Sequence, residues 1–313
     1  MRAIGVVTYG GPEALQLVDL PEEHPGPGQV RIRVHAATVN PTDTYVRNGD
    51  RAEMQKTDPP PYVPGMDAAG VIDEVGDGVS SALAVGDRVM AIVVPKGSYG
   101  AYRESLVIDA DAVALAPRDT SHAAASTLPM NGLTARLSLD LLALEPGQTI
   151  AVTGAAGCYG GYVVQLAKAD GLTVIADASD ADVELVTALG ADIVVPRGAE
   201  FASHVRKHFP DGVDALADGA VQNDEVVGVI RDGGAYTSVR GYQPAPQRGI
   251  TFAATWVTKY AHEQAKLDRL RQQVEDGLVT LRVAQTYPAD QASAAHARLE
   301  AGGTRGRCVI AFG

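Results

Sequence analysis

Three glycines at three-residue spacing, Gly154, Gly157 and Gly160, lie in a segment that could place backbone against a phosphate. A short apolar run at 149–153 precedes them, a helical pattern follows, and a second apolar run at 173–177 comes next. This order of strand, glycine turn, helix and strand is typical of the unit that binds a dinucleotide. One glycine permits the tight turn, one lets the backbone approach the pyrophosphate, and one lets the helix pack on the strand. The pyrophosphate would then lie at the positive end of the helix dipole. The alternative is an ordinary glycine-rich turn.

Composition narrows the class of protein. The net charge is −12, from 26 basic and 38 acidic residues, which argues against nucleic acid or an anionic membrane as a partner. Two cysteines, Cys158 and Cys308, cannot build a disulfide framework or a four-cysteine zinc lobe. The N-terminal residues read as strand rather than as a signal peptide, and no apolar run reaches the roughly 18 residues that span a bilayer. We therefore expect a cytoplasmic protein.

The elements that must position the glycine loop change character along the chain. Residues 1 to about 120 read as short strands and turns, including a strand at 99–108, and a long helical pattern follows at 123–144. Strands and helices then alternate to about residue 260, which predicts a parallel sheet with helices on both faces. The last part reads as strand, helix and strand. A chain of 313 residues exceeds one ordinary core, so we expect an α/β protein of two domains.

Further motifs stand in a fixed order around the glycine loop. They are Val39-Asn-Pro-Thr-Asp43, Pro64-Gly-Met-Asp-Ala-Ala-Gly70, Val85-Gly-Asp-Arg-Val89, Gly132-Leu-Thr-Ala135 and Gly306-Arg-Cys-Val309. Together with the loop, they resemble the medium-chain dehydrogenase/reductase superfamily, specifically its zinc-independent quinone oxidoreductase branch. The resemblance covers nearly the whole chain.

The resemblance implies a fold, a reaction and an assembly. It implies a GroES-like β domain at 1–121 and 265–313, and a Rossmann domain with a doubly wound parallel sheet at 122–264. A nicotinamide nucleotide would bind in the cleft between them. Hydride would pass to a small electrophilic acceptor, namely a quinone or an activated enone or alkene. A homodimer through the sixth Rossmann strand is also implied.

The expected absence of zinc depends on two positions. Zinc enzymes of this superfamily carry a Cys where this chain has Asn40, and a His where it has Met66. Asn and Met cannot replace thiolate and imidazole as zinc ligands, so we expect no catalytic zinc. His204 and His208 have metal-like spacing on a predicted helix, but the sequence offers no third ligand beside them, so a solvated helix face is expected there.

Without zinc, another group must stabilise charge on the acceptor oxygen. Asn40 and Tyr45 match positions that face the nicotinamide in quinone oxidoreductases, and an amide N–H or a phenol O–H can stabilise a developing oxyanion. The alternative is that Asn40 caps a turn before Pro41 and Tyr45 only packs. Tyr62 is the candidate for lining the acceptor pocket, and Thr127 matches a position near the nicotinamide.

The nucleotide itself stays undecided between NADP(H) and NAD(H). Asp177 ends the second predicted Rossmann strand, where an acid accepts hydrogen bonds from ribose hydroxyls and repels a 2′-phosphate. Asp182 stands where the family has a phosphate-binding Lys. Against these acids, Ser179 matches a phosphate-contacting position, and Arg197 could pair with a 2′-phosphate. The other cofactor contacts that the resemblance implies are Gly154, Ala156, Gly157, Cys158, Tyr159, Gly160, Ser238, Val239 and Arg240.

Two other functions stay open. An enoyl reductase acting on an acyl thioester would have the same fold, although Gly49-Asp-Arg-Ala52 lacks the Tyr that follows this Gly in many such enzymes. A nucleotide-binding sensor without turnover is the alternative from outside enzymes. The pair of Asn40 and Tyr45 argues against it.

Overall fold

The computed structural model describes residues 1–95 and 97–313. They form two compact units. The first unit comprises Met1–Met130, Thr258–Glu275 and Leu281–Gly313, and the second comprises Asn131–Val257 and Asp276–Thr280. Within the described residues, no helix is both long and apolar enough to cross a membrane.

The N-terminal part of the first unit is built of strands with three short helices. The strands are β1 (Arg2–Val6), β2 (Leu15–Asp19), β3 (Gln29–Thr38), β4 (Asp67–Val75), β5 (Arg88–Ile92), β6 (Ser105–Asp109) and β7 (Val113–Leu115). The helices are α1 (Pro41–Asn48), α2 (Ala52–Gln55) and α3 (His122–Ala125). The strand predicted at 99–108 is therefore shorter and begins only at Ser105.

The second unit alternates helices and strands, as the sequence predicts. Its elements in chain order are α4 (Pro129–Leu142, entered from the first unit), β8 (Thr149–Thr153), α5 (Cys158–Ala169), β9 (Thr173–Ala178), α6 (Val183–Ala188), β10 (Ile193–Pro196), α7 (Phe201–His208), β11 (Val213–Asp218), α8 (Asp224–Val227), β12 (Ile230–Ser238) and β13 (Thr251–Ala254). The helical pattern predicted at 123–144 is interrupted between α3 and α4. The interruption falls before Pro129, which disfavours helical backbone in the residue it follows.

The chain completes the first unit with α9 (Gln264–Glu275), β14 (Val283–Pro288), α10 (Ala292–Glu300) and β15 (Arg307–Ala311). The large sheet of this unit has the order β14-β15-β3-β4-β5-β7, and β6 also pairs with β3. The core of the unit is formed by buried apolar side chains of this sheet and of β1, which pairs with β2 in a separate two-stranded sheet; among them are Ile4, Ile32, Ile72 and Leu106.

The sheet of the second unit has six parallel strands in the order β10-β9-β8-β11-β12-β13. Numbered within the unit, this order is 3-2-1-4-5-6, the strand order of a dinucleotide-binding doubly wound sheet. The predicted α/β class and the Rossmann sheet are confirmed. In such sheets, ligands bind outside the carboxyl ends of the strands where the order reverses, here between β8 and β11.

Candidate active site

The glycine loop lies at the reversal point of the second unit. It follows β8 directly and ends at Gly157, which is the N-cap of α5. Gly154 has a left-handed φ of 67°, and a Cβ there would approach the backbone of Gly219, after β11, to 3.1 Å. The loops that follow the two central strands are therefore in close contact, and only glycine fits both the φ and the space.

The other two glycines of the loop have different steric reasons. A Cβ on Gly160 would lie 2.3 Å from the carbonyl oxygen of Gly154, so this glycine permits the helix to pack on the loop. Of the atoms that the structure describes, the only one within 4 Å of a Cβ on Gly157 would be that same carbonyl oxygen of Gly154, at 3.1 Å. Gly157 therefore leaves space on the loop that its own fold does not fill. This is the cradle in which backbone could approach a pyrophosphate.

Asp218, at the end of β11, holds the two loops together and is not among the site residues that the sequence predicts. Its Oδ1 accepts a hydrogen bond of 2.6 Å from the Thr153 hydroxyl. Its Oδ2 accepts bonds of 2.8 Å from the Asn223 backbone N–H and from the Tyr236 hydroxyl. An acid at the end of the fourth strand of a doubly wound sheet was the available signal.

Four residues predicted around the adenosine lie close together at the carboxyl ends of β9 and β10. Asp177 pairs with Val195 in the strand register, and the Arg197 backbone N–H donates to the Ala178 carbonyl at 2.9 Å. The Ser179 hydroxyl donates to Asp182 Oδ2 at 2.5 Å. The structure therefore brings together Asp177, Ser179, Asp182 and Arg197.

The side chains of the remaining candidates in this unit differ in exposure. Cys158 and Tyr159 are 4% and 8% exposed, and the Tyr159 hydroxyl lies 2.8 Å from Ser138 Oγ, inside the unit. Ser238 is buried at the end of β12, its hydroxyl accepts the Arg240 N–H at 3.3 Å, and Arg240 itself is exposed. Ala156 and Val239 are half-buried.

In the first unit, Asn40 begins α1 and is fully buried. Its backbone N–H donates to Asp43 Oδ2 at 2.8 Å, which is half of a capping box, and Pro41 occupies the first helical position. The Asn40 amide nitrogen donates to Asp67 Oδ2 at 2.6 Å. The amide group predicted to face an acceptor is therefore turned toward a buried carboxyl group.

Asp67 and Asp43 organise the interior behind Asn40. Asp67 Oδ1 accepts the Met130 N–H at 2.7 Å, and Asp43 Oδ1 accepts the Gly65 N–H at 3.1 Å. Burial raises the pKa of Asp67 to about 7 and that of Asp43 to about 6, against the hydrogen bonds that both carboxyls accept. Sequence patterns do not single out Asp67 as a site residue, although it follows Met66, which stands at a zinc-ligand position of the superfamily.

The Asp43 carboxyl continues into a buried polar chain. The Tyr102 hydroxyl donates to Asp43 Oδ2 at 2.9 Å and lies 3.2 Å from His296 Nε2. Arg47, near the end of α1, reaches His296 Nδ1 at 3.3 Å and pairs with Glu300 at 2.5 Å. Burial, with the Arg47 charge, lowers the pKa of His296 to about 3, so this imidazole is neutral. This series of hydrogen-bonded side chains fixes α1 against α10, and so fixes the backbone that carries Tyr45.

Three further candidates lie in the first unit. Tyr45 is half-buried on α1. Tyr62 stacks on Tyr9, with ring centroids 5.2 Å apart, and its hydroxyl donates to the Asp58 carbonyl at 3.1 Å. Thr127 is fully buried and its hydroxyl donates to the Ala124 carbonyl at 2.8 Å, so its side chain serves the α3 turn.

The two positions at which the superfamily places zinc ligands hold side chains with other partners. Asn40 donates to Asp67, and the Met66 sulfur accepts a hydrogen bond of 3.2 Å from the Thr42 hydroxyl. An amide and a thioether do not supply the thiolate and imidazole that zinc prefers. Among the described residues, the cluster that could hold a metal ion is Asp109, Asp111 and His262, which includes neither position.

Comparisons with known proteins match both parts of the chain. Residues 26–118 match the alcohol dehydrogenase GroES-like domain, and residues 189–310 match the family described as zinc-binding dehydrogenase. The chain is 31% identical to a 2-methylene-furan-3-one reductase from Solanum lycopersicum, over 99% of this chain and 79% of that protein. It is 30% identical to a quinone oxidoreductase from Sus scrofa, over 95% of this chain and 93% of that protein.

A solved structure described as an NAD-dependent alcohol dehydrogenase has the same fold. It aligns over 100% of both chains with a TM-score of 0.88 and 29% identity. The predicted resemblance is confirmed. The description of the second family mentions zinc, and the residues at the catalytic ligand positions of this chain do not fit that metal.

Proposed function

Since the chain belongs to the medium-chain dehydrogenase/reductase superfamily, in its quinone oxidoreductase-like branch, we propose that it is a zinc-independent reductase. It uses NADPH or NADH and transfers hydride to a quinone or an activated enone or alkene. The relatives named for quinone and furanone reduction support this acceptor class. The observation that carries the proposal is the cradle at Gly157, which lies at the reversal point of a 3-2-1-4-5-6 sheet.

The second unit would hold the nucleotide. The backbone at Gly154, Ala156 and Gly157 and the N-terminus of α5 would bind the pyrophosphate, since this end of a helix attracts negative charge. The residues at the ends of β9 and β10 would bind the adenosine. The bound nicotinamide supplies the hydride. The protein's tasks are to hold that ring, hold the acceptor and stabilise the charge that develops on the acceptor.

The first unit would supply the group that stabilises this charge. We assign the role to the Tyr45 hydroxyl, because a phenol can donate a hydrogen bond to an oxygen that gains charge. Tyr62 would line the acceptor pocket. Asn40 would act indirectly, by capping the helix α1 that carries Tyr45. In this conformation its own amide nitrogen donates to Asp67. With no zinc to polarise the carbonyl, the phenol carries the electrostatic part of the reaction.

The test is steady-state oxidation of NADH and NADPH with 1,4-benzoquinone, with an enone, and with an enoyl thioester. We expect turnover of the first two. In Tyr45→Phe, kcat should fall by about 10²-fold with the enone, with little change in KM, because only the charged transition state loses its donor. The loss should be smaller with the quinone, which accepts electrons more easily.

Tyr99→Phe is the matched control, because Tyr99 is also half-buried in the first unit. The Arg103 guanidinium lies over the Tyr99 ring, and phenylalanine keeps this ring. It should leave kcat unchanged. Turnover of the thioester alone would replace the proposal with an enoyl-thioester reductase. Tight nucleotide binding without turnover of any acceptor would favour the sensor.

We also propose a cytoplasmic homodimer that joins through β13. The family resemblance supports the dimer, and sedimentation equilibrium at micromolar concentration would measure it.

A further inference from the structure

We propose that this chain selects NADH over NADPH and that Asp182, not Asp177, makes the selection. The inference rests on the nucleotide site proposed above. It concerns which acidic residue the 2′ position of the adenosine ribose would meet.

Asp177 is committed to the glycine loop. The side chain is 5% exposed, and its Oδ1 accepts the Ala155 backbone N–H at 3.0 Å. The Gly154 backbone N–H also stabilises this carboxylate. These bonds tie the end of β9 to the turn after β8. A residue that shapes the pyrophosphate cradle serves both nucleotides alike, because NADH and NADPH share the pyrophosphate.

Asp182 instead accepts the hydrogen bond of the Ser179 hydroxyl. The carboxylate is 3% exposed, and its Oδ2 accepts the Ser179 O–H at 2.5 Å, while its own N–H donates to the Ser179 carbonyl at 2.8 Å. The hydroxyl that would donate to a 2′-phosphate therefore already donates to an anion. A phosphate at Ser179 would have to displace this bond and approach a buried negative charge, where solvent screens weakly. A ribose 2′-hydroxyl can instead act as a donor.

Arg197 would attract a 2′-phosphate and so oppose the repulsion by Asp182, but its exposed position weakens this attraction. The side chain is exposed, so its charge is screened by solvent and salt. Burial raises the pKa of the Asp177 carboxyl, and the charge of Arg197 acts against this increase. The cation is thus partly balanced by Asp177, whereas the charge of Asp182 is buried. Rejection of the competitor by a buried like charge is an established route to specificity.

The experiment measures the dissociation constants of NADH and NADPH by fluorescence titration of the full chain, without an acceptor. The wild-type protein should bind NADH at least ten-fold more tightly. Asp182→Asn keeps an acceptor for Ser179 and removes the charge. It should improve NADPH binding by at least ten-fold and change NADH binding by less than three-fold, which also shows that the site is folded.

Two control variants separate the causes. Glu184→Gln removes the same charge from an exposed position two residues away and should leave the ratio of the two constants unchanged. Asp177→Asn should weaken both nucleotides by similar factors, because it perturbs the loop. Tighter binding of NADPH by the wild-type protein, or an unchanged ratio in Asp182→Asn, would overturn the inference. If neither nucleotide binds, the proposed function fails together with it.

Discussion

Gly160→Ala should lower the stability of the protein and leave nucleotide binding intact, whereas Gly157→Ala should weaken nucleotide binding and leave stability intact. The two glycines are only three residues apart in one loop. At Gly160 the new Cβ would lie 2.3 Å from the Gly154 carbonyl oxygen, 2.7 Å from its carbon and 2.9 Å from the Ala155 Cα. All three are backbone atoms, so no side chain can move aside. At Gly157 the φ of −70° and ψ of 168° suit alanine, and the nearest atom is at 3.1 Å.

These distances give the expected magnitudes. Overpacking of this kind costs about 1–3 kcal/mol or more, and the better helix propensity of alanine returns up to about 1 kcal/mol. Because all three neighbours are backbone atoms, the upper part of this range applies, which leaves a net loss of roughly 1–2 kcal/mol in Gly160→Ala. In a chain of this length, that loss corresponds to a fall in Tm of about 2–4 °C. Gly157→Ala should change Tm by less than about 1 °C, because a contact at 3.1 Å requires its neighbour to move only slightly.

The assay is thermal unfolding with and without nucleotide. A ligand at 100 times its dissociation constant stabilises the folded state by about 2.7 kcal/mol, so the wild-type protein and Gly160→Ala should both gain several degrees. Gly157→Ala should lose at least about ten-fold in affinity and so about half of this gain or more, because its methyl group occupies the pyrophosphate cradle. A Gly157→Ala protein that retains full nucleotide affinity would refute our assignment of the cradle, whatever its Tm.

The remaining predictions concern the first unit. Asn40→Ala should lower stability by about 1–3 kcal/mol, since Asp67 loses a donor, and a fall in kcat with unchanged Tm would instead indicate direct contact with the acceptor. Burial raises the pKa of Asp67 from 3.8 to about 7, so the folded state holds a proton that the unfolded chain releases, and stability decreases as pH rises through this window. Asp67→Asn should reduce that dependence when unfolding is followed in urea, and the part that Asp43 contributes up to about pH 6 should remain. An unchanged slope between pH 6 and about 7 would show that Asp67 does not titrate there. After dialysis against a chelator, elemental analysis should find no zinc. About one zinc per chain would show that the protein binds this metal although Asn40 and Met66 stand at the ligand positions.

The sequence alone determined the glycine loop, the α/β class and the family. These depend on local signals: glycine spacing, runs of β-branched residues and the alternation of strands with helices. The order of motifs along the chain needs no three-dimensional information either. The boundaries that failed, at 99–108 and 123–144, lie where one proline or a short strand decides between neighbouring conformations.

Only the tertiary structure decided which way the polar side chains turn. Asn40 and Asp67 are 27 residues apart, and Asp177 reaches back 22 residues to Ala155. Their hydrogen bonds exist because packing buries both partners, and a buried polar group must find a partner wherever the fold supplies one. The residue types at these positions predicted contacts with an acceptor or a ribose. Burial also gave the Asn40 and Asp177 side chains internal partners, which the sequence did not predict, because the direction of a side chain depends on neighbours that are distant in sequence.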